Sequence, residues 1–210
     1  MPYTNYVLKL IMGGNGGVGK TTMLHKYIKG KFKENMAVTI GLNFFIKRVK
    51  LKSKIYTLQM WDFGGQDRFR FLHERYVAGA NVGVLLFDLT RLSSLENIPF
   101  WERMFRSEDN SLPLILIGTK YDLIEEERYP EVKEVQVLKI AEKCKIEKES
   151  YIKTSSKTGF NLNKVFTIAT ELAVEHLKTK VPRFLDLKRM PNSKNSFTVS
   201  DSDLQSRKEC

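Results

Sequence analysis

The sequence predicts an α/β domain with a six-stranded, mostly parallel sheet, one antiparallel edge strand and about five flanking helices. Short continuous apolar runs, typical of strands covered on both faces, alternate with segments of helical periodicity. Two strand-like runs are joined only by Lys52-Ser53-Lys54, which is too short for a crossover helix, so they form an antiparallel hairpin. Hydrophobic residues make up 42% of the 210 residues, enough for one sizeable core.

Each element follows from its own pattern. A helix is predicted at residues 20–28 and another at 93–105. Pro130 suits the first turn of the next helix, in which Val135, Leu138 and Ala141 keep a helical spacing. Strands are predicted at residues 6–12, 43–51, 55–62, 82–87, 112–117 and 151–154, and the last helix places Leu162, Val165, Phe166, Ala169, Leu172, Ala173 and Leu177 on one apolar face.

Composition limits the class of protein. The formal charge is +11, but basic residues interleaved with aromatic ones do not form a run, so we expect no nucleic-acid partner. No apolar run reaches the roughly 20 residues that a membrane span needs. The two cysteines, Cys144 and Cys210, make no disulfide framework, which favours a cytoplasmic location.

A glycine-rich stretch follows the first predicted strand. Residues 14–21 fit the P-loop pattern Gly-x4-Gly-Lys-Ser/Thr, with a strand before it and a helix after it. The glycines let successive backbone N–H groups point at phosphate oxygens, and the helix N-terminus adds its positive end. Lys20 would reach the β- and γ-phosphates, and the Thr21 hydroxyl would bind Mg²⁺. A glycine-rich turn with a chance lysine is the alternative interpretation.

A second polar motif, Thr119-Lys120-Tyr121-Asp122, follows a buried strand. A carboxylate there can accept hydrogen bonds from N1–H and the 2-amino group of guanine. Adenine would leave that carboxylate unpaired, and a buried unpaired polar group rejects the wrong ligand strongly. The stem of Lys120 could cover one face of the base. Four residues are a weak signal by themselves, and a polar loop is the alternative.

A third motif ends the second hairpin strand. Asp62 could hold Mg²⁺ through water, Gly65 could offer its N–H to the γ-phosphate, and Gln66 would orient the attacking water. Strand-end turns also often contain Asp and Gly for conformational reasons alone. The preceding P-loop favours the functional interpretation.

Residues 5–178 resemble the Ras superfamily, and the Rab family most closely. The matching stretches are GGVGKTT at 16–22, TIG at 39–41, WDFGGQDRFR at 61–70, GTKYD at 118–122 and TSSKTG at 154–159. The resemblance implies a single P-loop G domain over residues 1–178. It also implies a switch I segment at about 33–41 and a switch II segment at about 64–77. Polar residues dominate from Met190 on, so residues 179–210 are expected to form a variable, disordered tail.

The resemblance also implies site roles. Thr39 would bind Mg²⁺ and sense the γ-phosphate, so Thr21, Thr39 and Asp62 are the expected metal set. Gln66, Lys20, Thr39 and Gly65 are the expected catalytic set. The expected nucleotide-binding set is Gly14, Asn15, Gly16, Gly17, Val18, Gly19, Lys20, Thr21, Thr22, Phe32, Thr39, Gly65, Thr119, Lys120, Asp122, Ser155, Ser156 and Lys157.

Three positions depart from the Rab pattern. Thr119 replaces the usual Asn and can bridge fewer neighbours, Phe63-Gly64 replaces the common Thr-Ala, and Met36 stands where switch I often has tyrosine. These departures bear on the subfamily and not on the superfamily.

The resemblance implies a monomeric GTP/GDP switch that hydrolyses GTP slowly and depends on Mg²⁺, an exchange factor, an activating protein and effectors. A non-cycling module that keeps nucleotide as a structural ligand is the alternative. A P-loop kinase is less favoured because the sequence has no arginine-rich lid. Residues 180–210 carry seven Lys or Arg against four acids, so we expect the tail to give only weak, peripheral association with the cytosolic face of a membrane.

Overall fold

In a computed structural model, residues 6–34, 36–65, 76–127 and 129–180 are described, and they form one six-stranded sheet with helices on both faces. The spatial order of the strands is β2-β3-β1-β4-β5-β6. The hairpin strands β2 and β3 pair antiparallel, and every other neighbouring pair is parallel. The strands are β1 (Tyr6–Gly13), β2 (Leu42–Leu51), β3 (Lys54–Phe63), β4 (Val82–Asp88), β5 (Leu114–Thr119) and β6 (Tyr151–Lys153).

Alternating side chains of the central strands divide the core between the two faces of the sheet. On β4, Val84 and Leu86 pack towards one hydrophobic cluster, whereas Leu85 and Phe87 pack towards the other. The first cluster includes residues of α1 and α6, and the second includes residues of α2, α3 and α5. The helices are α1 (Lys20–Lys29), α2 (Leu92–Glu96), α3 (Ile98–Phe105), α4 (Tyr121–Glu125), α5 (Glu134–Lys143) and α6 (Leu162–Lys180).

The predicted sheet is confirmed, but several predicted helix details are wrong. The helix expected at 93–105 is two helices, which are separated at Asn97. Pro99 lacks the N–H that a continuous helix would bond, so the helix is interrupted there. Pro130 is not in a first helical turn. The helix α5 begins four residues after Pro130, at Glu134, and just before it the Gln136 side chain accepts a hydrogen bond from the Lys133 N–H at 3.2 Å.

Smaller differences concern which residues are buried. Val135 is exposed, and α5 buries Val137 and Ala141 instead. In α6, Leu172 and Leu177 are only partly buried, whereas Thr170 and His176 are buried. The fifth strand begins at Leu114, two residues later than predicted, and the short helix α4 was not predicted.

The last described helix continues through Lys180, two residues beyond the predicted domain boundary. The rest of the predicted tail lies outside the described residues. Among the described helices, none combines the length and the apolar composition that crossing a membrane requires.

Candidate nucleotide-binding site

Four parallel strands end at the same edge of the sheet, and the predicted motifs gather there. The loop 14–19 joins β1 to α1, Asp62 lies near the end of β3, Asp88 ends β4 and Thr119 ends β5. Because carboxyl ends of parallel strands share one edge, residues distant in sequence become neighbours. This edge is the place where an open α/β sheet binds ligands.

The loop 14–19 needs glycine at particular positions. Gly14 has a φ of 141°, and a Cβ there would lie 2.2 Å from the Leu86 carbonyl oxygen. Gly19 has a φ of 101° and precedes the first residue of α1, where no described side chain caps the helix. The first N–H groups of α1 therefore remain available to an anion.

Lys20 is buried beneath this loop. Its Nζ donates to the carbonyl oxygens of Gly14 at 2.6 Å and Asn15 at 3.1 Å. Burial lowers the pKa of Lys20 to about 8; Asp62 raises it and Arg91 lowers it further. The ammonium is thus held at the loop by carbonyl groups that a phosphate could replace or share.

Three oxygen-bearing side chains converge beside Lys20. The hydroxyl oxygens of Thr21 and Thr39 are 2.5 Å apart, and Asp62 Oδ2 lies 2.5 Å from the Thr21 oxygen and 3.4 Å from the Thr39 oxygen. Asp62 Oδ1 is buried and makes no hydrogen bond of normal geometry among the described residues, although the side chain of Asn43, opposite Asp62 in the β2–β3 ladder, lies near enough to favour the charged carboxylate.

The pKa of Asp62 is raised because burial disfavours the charged carboxylate, although hydrogen bonds from Thr21 and the charge of Lys20 oppose this effect. A buried carboxylate with an unpaired oxygen, beside two hydroxyl groups, is a donor set that suits a hard cation such as Mg²⁺. The residues present therefore fit the predicted metal.

Two consecutive glycines bring the end of β3 against both neighbouring segments. A Cβ on Gly64 would lie 2.8 Å from the Thr39 carbonyl oxygen and 2.9 Å from that of Gly41. The Gly64 N–H donates to the Gly41 carbonyl at 2.8 Å. A Cβ on Gly65 would lie 2.3 Å from the backbone nitrogen of Gly16. Backbone atoms cannot yield as a flexible side chain can, so both positions require glycine in this arrangement.

The opposite end of the site is built from the segment after β5. The Thr119 hydroxyl lies 2.6 Å from the Val18 carbonyl oxygen and 2.8 Å from that of Phe87, and its single proton can serve one of them at a time. Lys120 has a φ of 63°, and its Nζ pairs with Asp88 Oδ2 at 2.6 Å. Thr119 therefore ties β5 to the loop 14–19 and to β4.

Asp122 and Ser155 act as a unit. The Ser155 hydroxyl donates to Asp122 Oδ1 at 2.6 Å, and both residues are buried. The Ser155 Oγ in turn accepts from the Thr158 N–H at 3.1 Å. This bond fixes the carboxylate and leaves Asp122 Oδ2 available to a ligand.

A cavity of about 250 Å³ lies at this end, between residues 17–22 and the segments that follow β5 and β6, and its lining does not include Lys20, Thr21, Thr39 or Asp62. Ser155 is not in its lining and acts behind Asp122, and Gln66 lies outside the described residues. Lys33, Glu34, Met36 and Leu123 also line the cavity and were not predicted. The predicted residues in the lining are Gly17, Val18, Gly19, Thr22, Phe32, Thr119, Lys120, Asp122, Ser156 and Lys157.

Three further residues were missed. Asp88 anchors Lys120, and its position at the end of a buried strand was the available signal. Arg91 donates from Nη2 to the Gly16 carbonyl at 2.9 Å, and Asn97 donates from Nδ2 to Asn15 Oδ1 at 2.5 Å. These two contacts join the loop 14–19 to residues more than 70 positions away, which no local pattern indicates.

Exposed apolar side chains continue from the site onto β2. Val38 and Ile40 are exposed in the segment before the strand, and Phe44 and Ile46 are exposed on it. Phe44 contacts Trp61 edge to face at a ring-centroid distance of 4.9 Å. An apolar surface next to Thr39 would be sensitive to the position of that residue.

The P-loop between a first strand and helix, with a polar pocket at the strand ends, defines a P-loop nucleotide-binding α/β protein. A family model described as the Ras family matches residues 9–175. The chain belongs to the Ras family; it is a small GTPase that binds guanine nucleotide and hydrolyses GTP.

Individual relatives are Rab-like. The chain is 34% identical over 178 residues to the Ypt/Rab-type GTPase ypt7 of Schizosaccharomyces pombe, covering 82% of this chain and 84% of the relative. It is 32% identical to the Ras-related protein RabL of Dictyostelium discoideum, covering 81% and 85%. It is also 32% identical to the human Ras-related protein Rab-30, covering 77% of each.

Proposed function

We propose that this GTPase is a Mg²⁺-dependent switch that controls membrane traffic or signalling in the manner of its Rab-type relatives. One observation carries this proposal. Thr39, which lies in a segment without helix or strand, meets Thr21 and Asp62 from the fixed part of the fold within 3.4 Å. A segment tied to the core through one hydroxyl group can be ordered or released by what is bound there.

The roles of the site residues follow from their positions. Lys20 and the N–H groups of residues 14–21 would hold the phosphates, and Thr21, Thr39 and Asp62, which lie together, would hold Mg²⁺. The metal ion supplies positive charge that offsets the charge developing on the phosphate oxygens. Asp122, oriented by Ser155, reads the N1–H and 2-amino groups of guanine.

For hydrolysis, the sequence assigns Gln66 to the attacking water and Gly65 to the γ-phosphate. The close approach of Gly65 to Gly16 is consistent with that assignment, because it leaves Gly65 beside the phosphate loop. We propose that hydrolysis is slow without an activating protein, and that exchange requires a second partner.

The exposed side chains Val38, Ile40, Phe44 and Ile46 are proposed as the surface that effectors recognise in the GTP form. The protein would act as a monomer in the cytoplasm, with weak peripheral association at the cytosolic face of a membrane. Charge on the protein favours such association with anionic lipids.

A single-turnover assay tests the proposal. Protein loaded with GTP should convert it to GDP, and Gln66→Leu should slow this step about 100-fold or more with unchanged nucleotide affinity. Gln59→Leu, on the neighbouring strand β3, is the matched control and should hydrolyse at the parental rate. If the parent and Gln66→Leu turn over equally slowly, the protein is instead a non-cycling module that keeps its nucleotide.

A further inference from the structure

Charge is distributed unevenly along the chain, because Glu34 is the only acid before Asp62, and the β2–β3 hairpin has the densest group of basic residues in this part. Between Glu34 and Asp62 there is no Asp or Glu. The same interval carries Lys47, Arg48, Lys50, Lys52 and Lys54. A few lysines on an edge strand are ordinary protection against strand-to-strand aggregation. Five basic residues among eight, with no acid in the hairpin, exceed that need.

The pleat of β2 separates these basic residues. Lys47 points inward, donates to the Tyr27 carbonyl at 2.6 Å and lies 3.7 Å from the centre of the Tyr27 ring. Arg48 and Lys50 point to the other face and are exposed. Lys52 and Lys54 are exposed at the turn. Arg48 and Lys50 are therefore the outward charges of one face, whereas Lys54 lies opposite Leu51 on the other face at the turn.

Two exposed apolar side chains belong to the same surface. In the strand register, Lys50 lies opposite Ile55, and Arg48 lies opposite Thr57, which in turn neighbours Val7 of β1. Ile55 is 46% exposed and Val7 is 47% exposed. We call this surface the hairpin face. Val7, Arg48, Lys50 and Ile55 lie on one side of the sheet, and Lys52 and Lys54 stand at its turn end, where they also line the groove beside α6.

The cations of the hairpin face are not neutralised within the described part of the chain. There, Arg48, Lys50 and Lys52 make neither an ion pair nor a side-chain hydrogen bond, and Lys54 contacts only the ring of Tyr6, 5.1 Å from its centre. At the end of α6 the situation differs, because Lys178 pairs with Glu175 and Lys180 pairs with Asp109.

We propose that the hairpin face docks on a lipid bilayer that contains anionic phospholipids, which deepens the peripheral association proposed above. Side chains on one face of a strand recur about every 7 Å, so Arg48 and Lys50 leave the sheet at a fixed spacing, and the turn lysines extend this array of charges. Lipid headgroups move laterally and can match such an array. Val7 and Ile55 then meet the headgroup boundary, where apolar side chains strengthen binding.

An acidic polypeptide fits this surface less well than a bilayer. The groove that could seat a peptide beside the hairpin turn lies between Leu51 and α6, and Lys52, Lys54 and Lys178 line it together with Glu171. Its charge is mixed, whereas the hairpin itself carries no Asp or Glu before Asp62. The ten residues of β2 also place the turn roughly 30 Å from the switch end of the strand, so docking leaves the nucleotide pocket open.

The expected strength is modest. A basic residue near an anionic bilayer contributes about 1 kcal/mol, or about a five-fold gain in partitioning, so four give at most several hundred-fold. Screening over roughly 8 Å at physiological ionic strength reduces this gain. The association should therefore be reversible and sensitive to salt.

The test uses the full chain without lipid modification, loaded with GDP, and flotation with phosphatidylcholine vesicles with or without phosphatidylserine. We expect flotation with phosphatidylserine at low salt, and loss of most binding when salt rises above about 0.15 M. Absence of flotation with phosphatidylserine at low salt would overturn the proposal. So would equal flotation with pure phosphatidylcholine.

Two charge-matched variants identify the surface. The hairpin variant Arg48→Glu/Lys50→Glu/Lys52→Glu should lose more than about ten-fold in partitioning. The control variant changes three exposed lysines in and just after α5, Lys139→Glu/Lys143→Glu/Lys148→Glu, with the same change in net charge, and should lose less than about three-fold. Equal losses would show that net charge alone acts and would overturn the hairpin face as the site.

Bound GDP and the rate of GTP turnover are measured in every preparation. If both match the parent, a change in flotation tests the membrane site alone and leaves the proposed switch function intact. Should the triple variant fail to retain GDP, Lys50→Ala/Lys52→Ala replaces it, with an expected loss of about ten-fold or more. Binding of the parent to soluble polyglutamate, together with no flotation, would contradict the bilayer and favour an acidic protein.

Discussion

The base end and the phosphate end of the pocket are held in different ways. At the base end, Asp122 and Ser155 are buried and bonded to each other, and Thr119 is tied to β4 and to the loop 14–19. At the phosphate end, the Thr39 hydroxyl comes from residues that form neither helix nor strand. We therefore expect base recognition to rest on residues fixed in the core, and phosphate recognition to depend on a segment outside the helices and strands.

The largest effect is expected at the base end. Asp122→Asn should lower GTP affinity on the order of 1,000-fold or more, because a fixed carboxylate that accepts from two guanine donors is replaced by a group that offers one wrong donor. Affinity for xanthine nucleotides should rise, since xanthine carries a 2-oxo group that accepts from an amide. Competition binding of GTP and XTP measures both changes.

Ser155→Ala is the companion variant, because it removes the bond that orients the carboxylate without touching the base directly. It should reduce GTP affinity about ten-fold and leave the preference for guanine intact. If the Asp122→Asn variant still prefers GTP to XTP, the Asp122 carboxylate does not recognise the guanine base.

A smaller effect is expected at the phosphate end from Gly64→Ala. The added Cβ meets two backbone carbonyl groups at under 3 Å, so the segment carrying Thr39 must shift, at a cost of about 1–3 kcal/mol. The cost destabilises the form in which Thr39 is ordered, which is proposed to be the GTP-bound form. Affinity for a non-hydrolysable GTP analogue should fall about 5- to 100-fold, with little change in GDP affinity.

Equilibrium titration with both nucleotides decides this point. A parallel fall in the two affinities would mean that the segment 36–41 is as fixed as the base end, and the contrast between the two ends would fail.

A still smaller effect is expected from Arg91→Ala. Arg91 is exposed, so its bond to the Gly16 carbonyl is screened and contributes about 1 kcal/mol, which corresponds to about five-fold. The change should slow single-turnover hydrolysis by this factor while GDP affinity stays near the parental value. Arg103→Ala, which removes an exposed arginine from α3, is the control. Equal rates in the two variants would assign Arg91 no part in positioning the loop.

Local motifs made the base end and the phosphate loop predictable, because each motif is short and follows a strand. Asp62 and Thr119 could be placed from the apolar runs before them. Asp88 also ends a buried strand, but it was missed because no motif around it assigns it a role. Arg91 and Asn97 could not be placed, because their partners depend on how β4 and the loop 14–19 meet in the folded chain.

Proline explains the errors in the helices. Pro99 was a visible signal for a break, yet the apolar spacing on both sides concealed it. Pro130 fits an extended segment as well as a first helical turn. The hydrogen bond between Lys133 and Gln136 stabilises the start of α5 after Pro130, so Pro130 lies outside the helix. The preference of proline does not distinguish an extended segment from a first helical turn, because the φ angle of proline is about the same in both.

The smallest effect concerns a region outside both ends. Asp109 accepts hydrogen bonds from the Ser111 N–H at 3.0 Å and from Lys180 at 2.5 Å, and its Oδ2 lies 2.8 Å from His176 Nε2. Partial burial raises its pKa, but the hydrogen bonds from Lys180 and Ser111 together outweigh burial, and the net pKa is lowered. These contacts join α6 to the segment after α3.

A lowered pKa in the folded state means that the contribution to stability is present above the ordinary pKa of 3.8 and is lost as pH falls below it. Asp109→Asn should therefore reduce the free energy of unfolding by about 0.5–1 kcal/mol at neutral pH, and the difference from the parent should shrink towards pH 3. Urea unfolding of both proteins at several pH values measures this trend, with GDP affinity as the control. A difference that is constant from neutral to acid pH would show that the Asp109 contacts do not depend on its charge, and altered GDP affinity would mean that this region is coupled to the pocket.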